Sequence, residues 1–358
     1  MERLKCLDGL RGVLAVYVML SHMAPFALFP GWLASALSHG GAAVDIFFIL
    51  SGLAIVRSLE SLDYRARPFL WARVARIFPV YLAMLALAVA VQPLPAGFGR
   101  MPWIAADSPA FAIWSQGWPR DWPAEVAAHL TMTHGLIPDG VLPDAWVSFL
   151  GAAWSLSTEW QFYVCALLLG RRAWWVLLVL AVAGAVWAAV TPEGWHFSRA
   201  FLGNKAGYFA LGMVSAALAG GRTNSPRMTG LGVLLAVLTL GWLQGGWAKF
   251  AAPLVWAACL GAELHPGWWS TALRCRTAQW LGGLSYSLYL ANEPIQKLLG
   301  VGLSTWTHGD GWWFTVFWVP GSLGLPLLAA MALRRWIERP ALAWARRGAY
   351  TRGHENPG

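Results

Sequence analysis

Charge is what this chain has least of. Only 12% of its 358 residues are Asp, Glu, Lys or Arg, against about 25% in a soluble domain, while 58% are hydrophobic. That ratio excludes an ordinary soluble enzyme and points into a bilayer. Acid is scarcer than base, with 17 Asp plus Glu against 26 Lys plus Arg and a net charge of +9. The basic residues flank apolar runs, so a membrane surface accounts for them and nucleic acid is not implied. Cysteine is also sparse. Cys6, Cys165, Cys259 and Cys275 form no close pair and no CxxC, which excludes a disulfide framework and gives no redox or metal motif. Internal repeats, low-complexity tracts and a second soluble domain are absent. The start lacks a small-residue cleavage site after Arg3 and Lys5, so the first apolar run is expected to be retained as a transmembrane helix.

What is present is a succession of about ten apolar segments of roughly bilayer-spanning length. They lie near 8–28, 42–59, 74–93, 148–169, 173–190, 199–219, 228–245, 249–264, 280–299 and 313–334. The expected fold is an all-α integral membrane protein, a polytopic bundle with one long extracytoplasmic loop at about 94–147. Placing both termini in the cytoplasm puts twenty of the twenty-six basic residues inside, as the positive-inside rule requires. Pairs such as Trp174–Trp175, Trp268–Trp269 and Trp312–Trp313 sit at segment ends, where interfacial aromatic belts form. Trp122 to Leu136 has helical periodicity and predicts a short amphipathic or re-entrant helix within the long loop. Residues 1–345 read as one membrane domain, and 346–358 as a disordered cytoplasmic tail.

The first segment, Leu7 to Phe29, carries Arg11 near its start and His22 well inside. Eleven residues return to within about 20° of the same helix face, about 16 Å further on. The two side chains suggest opposite ends of one site. Other polar residues within apolar runs are functional candidates because burying them is costly. Asp45 falls at a depth close to that of His22 and is expected to pair with it, leaving the second imidazole nitrogen as a general base. Glu159 reaches the same level if its helix starts near Trp154, and packing against hydroxyls of a neighbouring helix is the other reading. Arg73 and Arg76, one turn apart at a helix start, read either as an anion site with Arg11 at the same membrane surface or as ordinary positive-inside residues. Trp154, Ser285, Tyr286 and Asn292 are candidates for substrate contact, while Gly282 and Gly283 permit close helix packing. His129 and His134 read as loop histidines open to solvent or to an acceptor.

Six motifs in order, LDGLRG with a histidine eleven residues past the arginine, GGAAVDIFFILSG, RVARIFPVYL, WSLSTEWQFY, LGGLSYSLYL and IERPA, resemble the membrane acyltransferase family 3. The family comprises bacterial integral-membrane O-acyltransferases of saccharides and macrolides. The resemblance covers about 4–345 and is of the stand-alone kind, with no SGNH-type esterase domain. It implies that Arg11 and His22 are required, and it maps family positions onto Asp45, Arg73, Arg76 and Glu159. The ninth-helix motif commonly continues to a histidine, where this chain has Asn292. The implied chemistry is transfer of an acyl group, acetyl foremost, from acyl-CoA to a saccharide or glycoside hydroxyl in the bacterial inner membrane. His22 is the general base, oriented by Asp45 or Glu159; Arg11, Arg73 and Arg76 hold the donor phosphates, and no metal takes part. Alternatives are a transporter or flippase, and an acyl relay to a partner transferase.

Overall fold

In hydrocarbon a chain must satisfy its backbone hydrogen bonds internally, and helices do so segment by segment. The structure, a computed structural model, describes residues 4–94, 101–104, 109–170, 173–216, 250–264 and 267–351. Every regular element among them is helical. In order these are α1 (Lys5–Met23), α2 (Gly31–Leu37), α3 (Gly40–Ser61), α4 (Ala66–Val91), α5 (Pro109–Ser115), α6 (Trp122–Leu130) and α7 (Ala153–Leu169). There follow α8 (Ala173–Val190), α9 (Ala206–Ser215), α10 (Ala251–Leu264), α11 (Trp268–Arg274), α12 (Arg276–Trp306), α13 (Gly311–Leu333) and α14 (Arg339–Thr351).

Among the described residues, five stretches are long and apolar enough to cross a membrane: Lys5–Phe26, Gly31–Ser61, Ala66–Val91, Ala173–Val190 and Gly311–Ala345. The chain is therefore a multi-pass membrane protein. The expected crossing at 228–245 and the tail past Thr351 lie outside the described residues. Two expected spans are shorter than their apolar runs. Expected at 148–169, the fourth becomes α7, which begins at Ala153. The run at 199–219 yields only the ten residues of α9, because Ser198 to Lys205 is held as turns. Side chains of α7 hold that irregular backbone. Gln161 Oε1 accepts from Leu202 N at 2.9 Å, while Thr158 and Gln161 both donate to Ala200 O.

Helix ends are closed by specific partners. Asp310 caps α13 by accepting from Trp312 N and Trp313 N. At the far end of α1, Trp318 Nε1 donates to Met23 O at 2.9 Å and Trp103 Nε1 to Phe26 O at 3.3 Å. Those indoles satisfy carbonyls that a helix terminus leaves open. They belong to an aromatic cluster in which Phe26 stacks on Trp114 at 4.5 Å and meets Trp318 at 5.8 Å. Exposed large apolar residues such as Val179, Val186, Val190 and Leu328 face outward, as lipid contact requires.

The long connection does not stay in solvent. α6 and the turn His134–Leu136 fold down so that His129 and His134 are fully buried, their rings stacked 4.1 Å apart. His129 Nε2 donates to Ala145 O at 3.0 Å, and Tyr81 of α4 donates to His129 O at 2.9 Å. This corrects the expectation of solvent-open loop histidines: the segment's apolar face has the bundle to cover. Burial, followed by the neighbouring His134, pushes His129 well below its ordinary range. Burial likewise brings His134 down from 6.5 to about 4. Both rings are held neutral, so the unfolded chain binds protons first as the solution is acidified. Stability from this pair is complete above pH 6.5 and is lost as pH falls toward 4, at about 1.4 kcal/mol per pH unit for each ring. The thermal midpoint of the purified protein should drop over that interval, and about half as steeply in His134→Leu, where only His129 is left to titrate; a midpoint with the same slope in both proteins would contradict the assignment.

Candidate functional site

The site begins where two glycine-bearing helices touch. A Cβ on Gly12 of α1 would lie 2.5 Å from Gly282 N of α12, and one on Gly282 would overlap Asp8 O. Small residues of this kind let membrane helices approach backbone to backbone. Ten residues further along both helices, about 15 Å by helical rise, His22 Nδ1 lies 2.7 Å from Asn292 Oδ1. Contacts spaced equally along both chains mean that the helices run parallel. Asn292 is fully buried, and its Nδ2 donates to Leu288 O at 3.2 Å and Tyr289 O at 2.6 Å. Gln296 Nε2 adds a tie to Met19 O at 3.2 Å.

Toward the Arg11 end, α1, α3, α4, α7 and α12 enclose a cavity of about 110 Å³, room for several waters. Its polar lining is Arg11, Ser51, Arg73, Arg76, Ser155, Glu159, Tyr163, Ser285, Tyr286 and Tyr289. α4 begins at Ala66, so Arg73 and Arg76 stand about two to three turns inside it rather than at its start, and they share a helix face by their spacing of three. Arg73 Nη2 donates to Ser58 Oγ at 2.9 Å, and the guanidinium lies 5.5 Å from the Phe69 ring and 5.7 Å from the Tyr163 ring. Among the described residues, its buried Nε has no hydrogen-bond partner. Arg76 lies 3.7 Å from Glu338 and 5.8 Å over Tyr286, whose hydroxyl donates to Ile77 O at 2.6 Å. Glu159 accepts from Ser51 Oγ and from Tyr163 OH. A wider cavity of about 360 Å³, lined in part by Leu4, Asp8, Arg57, Ser58 and Ser61, adjoins the first. Arg11 and Ala54 border both.

Six of the residues singled out from sequence, Arg11, Arg73, Arg76, Glu159, Ser285 and Tyr286, thus meet around one volume. His22 and Asn292 do not line it. Asn292 follows Tyr289, a lining residue, by three positions, so the His22–Asn292 pair stands about one turn beyond. The ring's partner is neither of the carboxylates expected. Glu159 accepts from both Ser51 and Tyr163 at Oε1, at the arginine level. Asp45 is engaged by Lys205, Nζ to Oδ1 2.6 Å. Lys205 and Arg199 lie 5.8 Å and 5.7 Å from the Trp154 ring, so Trp154 belongs to that cationic cluster rather than to the cavity. Matching depth on two helices does not fix azimuth, which is why depth alone misassigned the partner. Tyr163 and Lys205 were missed, though both left signals. Tyr163 is four residues after Glu159, on the same face, and an intramembrane lysine demands an anion. Among the described residues, no three His, Cys, Asp or Glu side chains are grouped to hold a metal ion.

Residues 4–332 match the family model described as an acyltransferase domain. The chain belongs to acyltransferase family 3. Over 207 residues it is 28% identical to acyltransferase MdmB of Streptomyces mycarofaciens, covering 51% of this chain and 45% of that protein. Over 93 residues it is 38% identical to protein 2 in the picA locus of Rhizobium radiobacter, covering 25% of this chain and 46% of that protein. The chain thus spans about half the length of the curated relatives it matches. No solved structure matches it.

In this acyltransferase-3 chain the Asp45–Lys205 pair is mostly buried, with side-chain exposures of 9% and 14%. Removing one partner of such a pair leaves an uncompensated charge, at a cost of about 3–5 kcal/mol. Asp45→Asn should lower the thermal midpoint, and adding Lys205→Met should restore it. An equal loss in single and double variants would show that the pair does not act as a unit.

Proposed function

We propose that the protein transfers an acyl group, acetyl foremost, from acyl-CoA to a hydroxyl of a saccharide or glycoside. The observation that carries this reading is the cavity that gathers Arg11, Arg73 and Arg76 from two helices and adjoins a wider mouth beside Arg57. Three guanidiniums with a single lining carboxylate, Glu159, suit a ligand of several negative charges. Arg73 Nε, unpartnered among the described residues, is a donor that a phosphate oxygen would satisfy. Acyl-CoA is a cytosolic compound, so the arginine end faces the cytoplasm of a bacterial inner membrane in this reading. The relative named an acyltransferase agrees in kind.

The carrier arm then runs through the cavity past Tyr289 and brings the thioester to the level of His22. The acceptor oxygen attacks the thioester carbonyl, forming a C–O bond as the C–S bond breaks. His22 Nε2 takes the hydroxyl proton and returns it to the departing sulfur, giving ester and free thiol. A positioned base contributes about 10²–10⁴-fold. Glu159 holds Ser51 and Tyr163 in place and balances part of the guanidinium charge. Asp45 acts on the fold through Lys205.

His22→Ala, purified in lipid nanodiscs with acetyl-CoA and a panel of glycosides, should lose transfer by at least about 10²-fold while keeping the wild-type thermal midpoint. Transfer at the wild-type rate would end the proposal. Arg73→Ala should raise KM for acetyl-CoA by about tenfold or more, in line with the ~1.5–3 kcal/mol of a charged hydrogen bond. An unchanged donor KM would remove the phosphate role of that side chain.

A further inference from the structure

The partner of His22 is a neutral amide, and its surroundings leave that amide only one orientation. Asn292 has two N–H donors on one side of its headgroup and an acceptor oxygen on the other. Two backbone carbonyls, Leu288 O and Tyr289 O, lie at 3.2 Å and 2.6 Å from Nδ2. Turning the amide over would set its oxygen against both carbonyls, oxygen to oxygen, with no proton between. The oxygen therefore faces the histidine, 2.7 Å from Nδ1. An acceptor at that distance requires a proton on Nδ1, and in a neutral ring a proton on Nδ1 leaves the lone pair on Nε2.

From this we infer that Asn292 is a positioning residue that holds His22 in the Nδ1–H tautomer, with Nε2 free to accept the acceptor's proton. The inference rests on His22 being the base. An amide does this without placing a negative charge beside the ring, so the imidazole is oriented without a counter-ion to retain the proton it must return to sulfur. Asn292 is itself fixed twice. Its headgroup is bound to its own helix one turn back, and that helix is set against α1 by the Gly12–Gly282 contact. The role differs from the substrate contact that the sequence suggested for this side chain, whose oxygen and both donors are already committed within the protein.

The test uses the full chain, labelled with ¹⁵N-histidine and held in nanodiscs. The His22 signals among those of the eight histidines are assigned by their disappearance in His22→Gln. Nitrogen chemical shifts separate a protonated ring nitrogen from one that bears a lone pair. Wild-type His22 should show Nδ1 protonated and Nε2 bare. Asn292→Leu, which removes the acceptor oxygen, should return the ring to the Nε2–H form that histidine favours in water. In transfer assays Asn292→Leu should lose at least about tenfold in kcat, a part of what a positioned base contributes, with the KM of acetyl-CoA within about twofold of wild type. A wild-type ring protonated on Nε2, or Asn292→Leu at full kcat, overturns the inference. If His22→Ala is inactive in the same assay, the reading of His22 as base survives that result. A fully active His22→Ala overturns both.

Discussion

The contact between α1 and α12 is the constraint on which the rest depends. Gly12 and Gly282 carry no side chains, so the two backbones meet, and the geometry ten residues onward follows. At ordinary helix separation, with a side chain at either position, the 2.7 Å approach of His22 to Asn292 would be lost. Arg11 sits one residue before Gly12, so the same contact also sets the guanidinium that borders both cavities. One helix thus carries a cation at one end and an imidazole at the other, and a second holds both in register.

Concentrating three arginines inside a membrane bundle is costly, and the structure spreads that cost over several weak partners. Aromatic faces take part of the charge, with Tyr163 and Phe69 against Arg73 and Tyr286 against Arg76. Glu159 and Glu338 supply negative charge, yet Glu338 lies 3.7 Å from Arg76 and spends its other oxygen on Ser287. No bidentate pair neutralises either α4 arginine among the described residues. The opposite arrangement holds at Asp45 and Lys205, a close pair of 2.6 Å that faces Trp154 and lies away from the cavity. Two buried charge clusters in one bundle therefore differ in kind, one saturated by protein and one left open.

Much of this was legible in residue order. Helical character, a multi-pass chain, the small-residue packing at Gly282 and the meeting of Arg11, Arg73 and Arg76 follow from apolar run lengths, helix spacing and family motifs. Glu159 was read either at the level of His22 or against a neighbouring helix's hydroxyls, and it is the second that Ser51 of α3 supplies. What escaped was azimuth. Depth along a helix can be counted from its ends, but the direction in which Asp45 points depends on how α3 is rotated against α9, where Gly52 and Gly212 press on opposing backbone. Asn292 was hidden for a different reason. It departs from the usual histidine and read as a candidate for substrate contact, and its use becomes visible only once α1 lies alongside. The burial of His129 and His134 was equally hidden, because a loop rich in Pro and Trp looks solvated until the bundle beneath it is in place.

The central claim is that a thioester can lie between the arginine cavity and the His22–Asn292 pair. The measurement that bears on it most directly is an experimental structure of the protein in nanodiscs with a non-hydrolysable acyl-CoA analogue. The account predicts donor phosphates against Arg11, Arg73 and Arg76, with the acyl carbonyl carbon close enough to His22 Nε2 for a hydroxyl to fit between, about 3–3.5 Å from each reacting neighbour. An analogue bound elsewhere on the bundle, or with its acyl group directed away from α1, would contradict it.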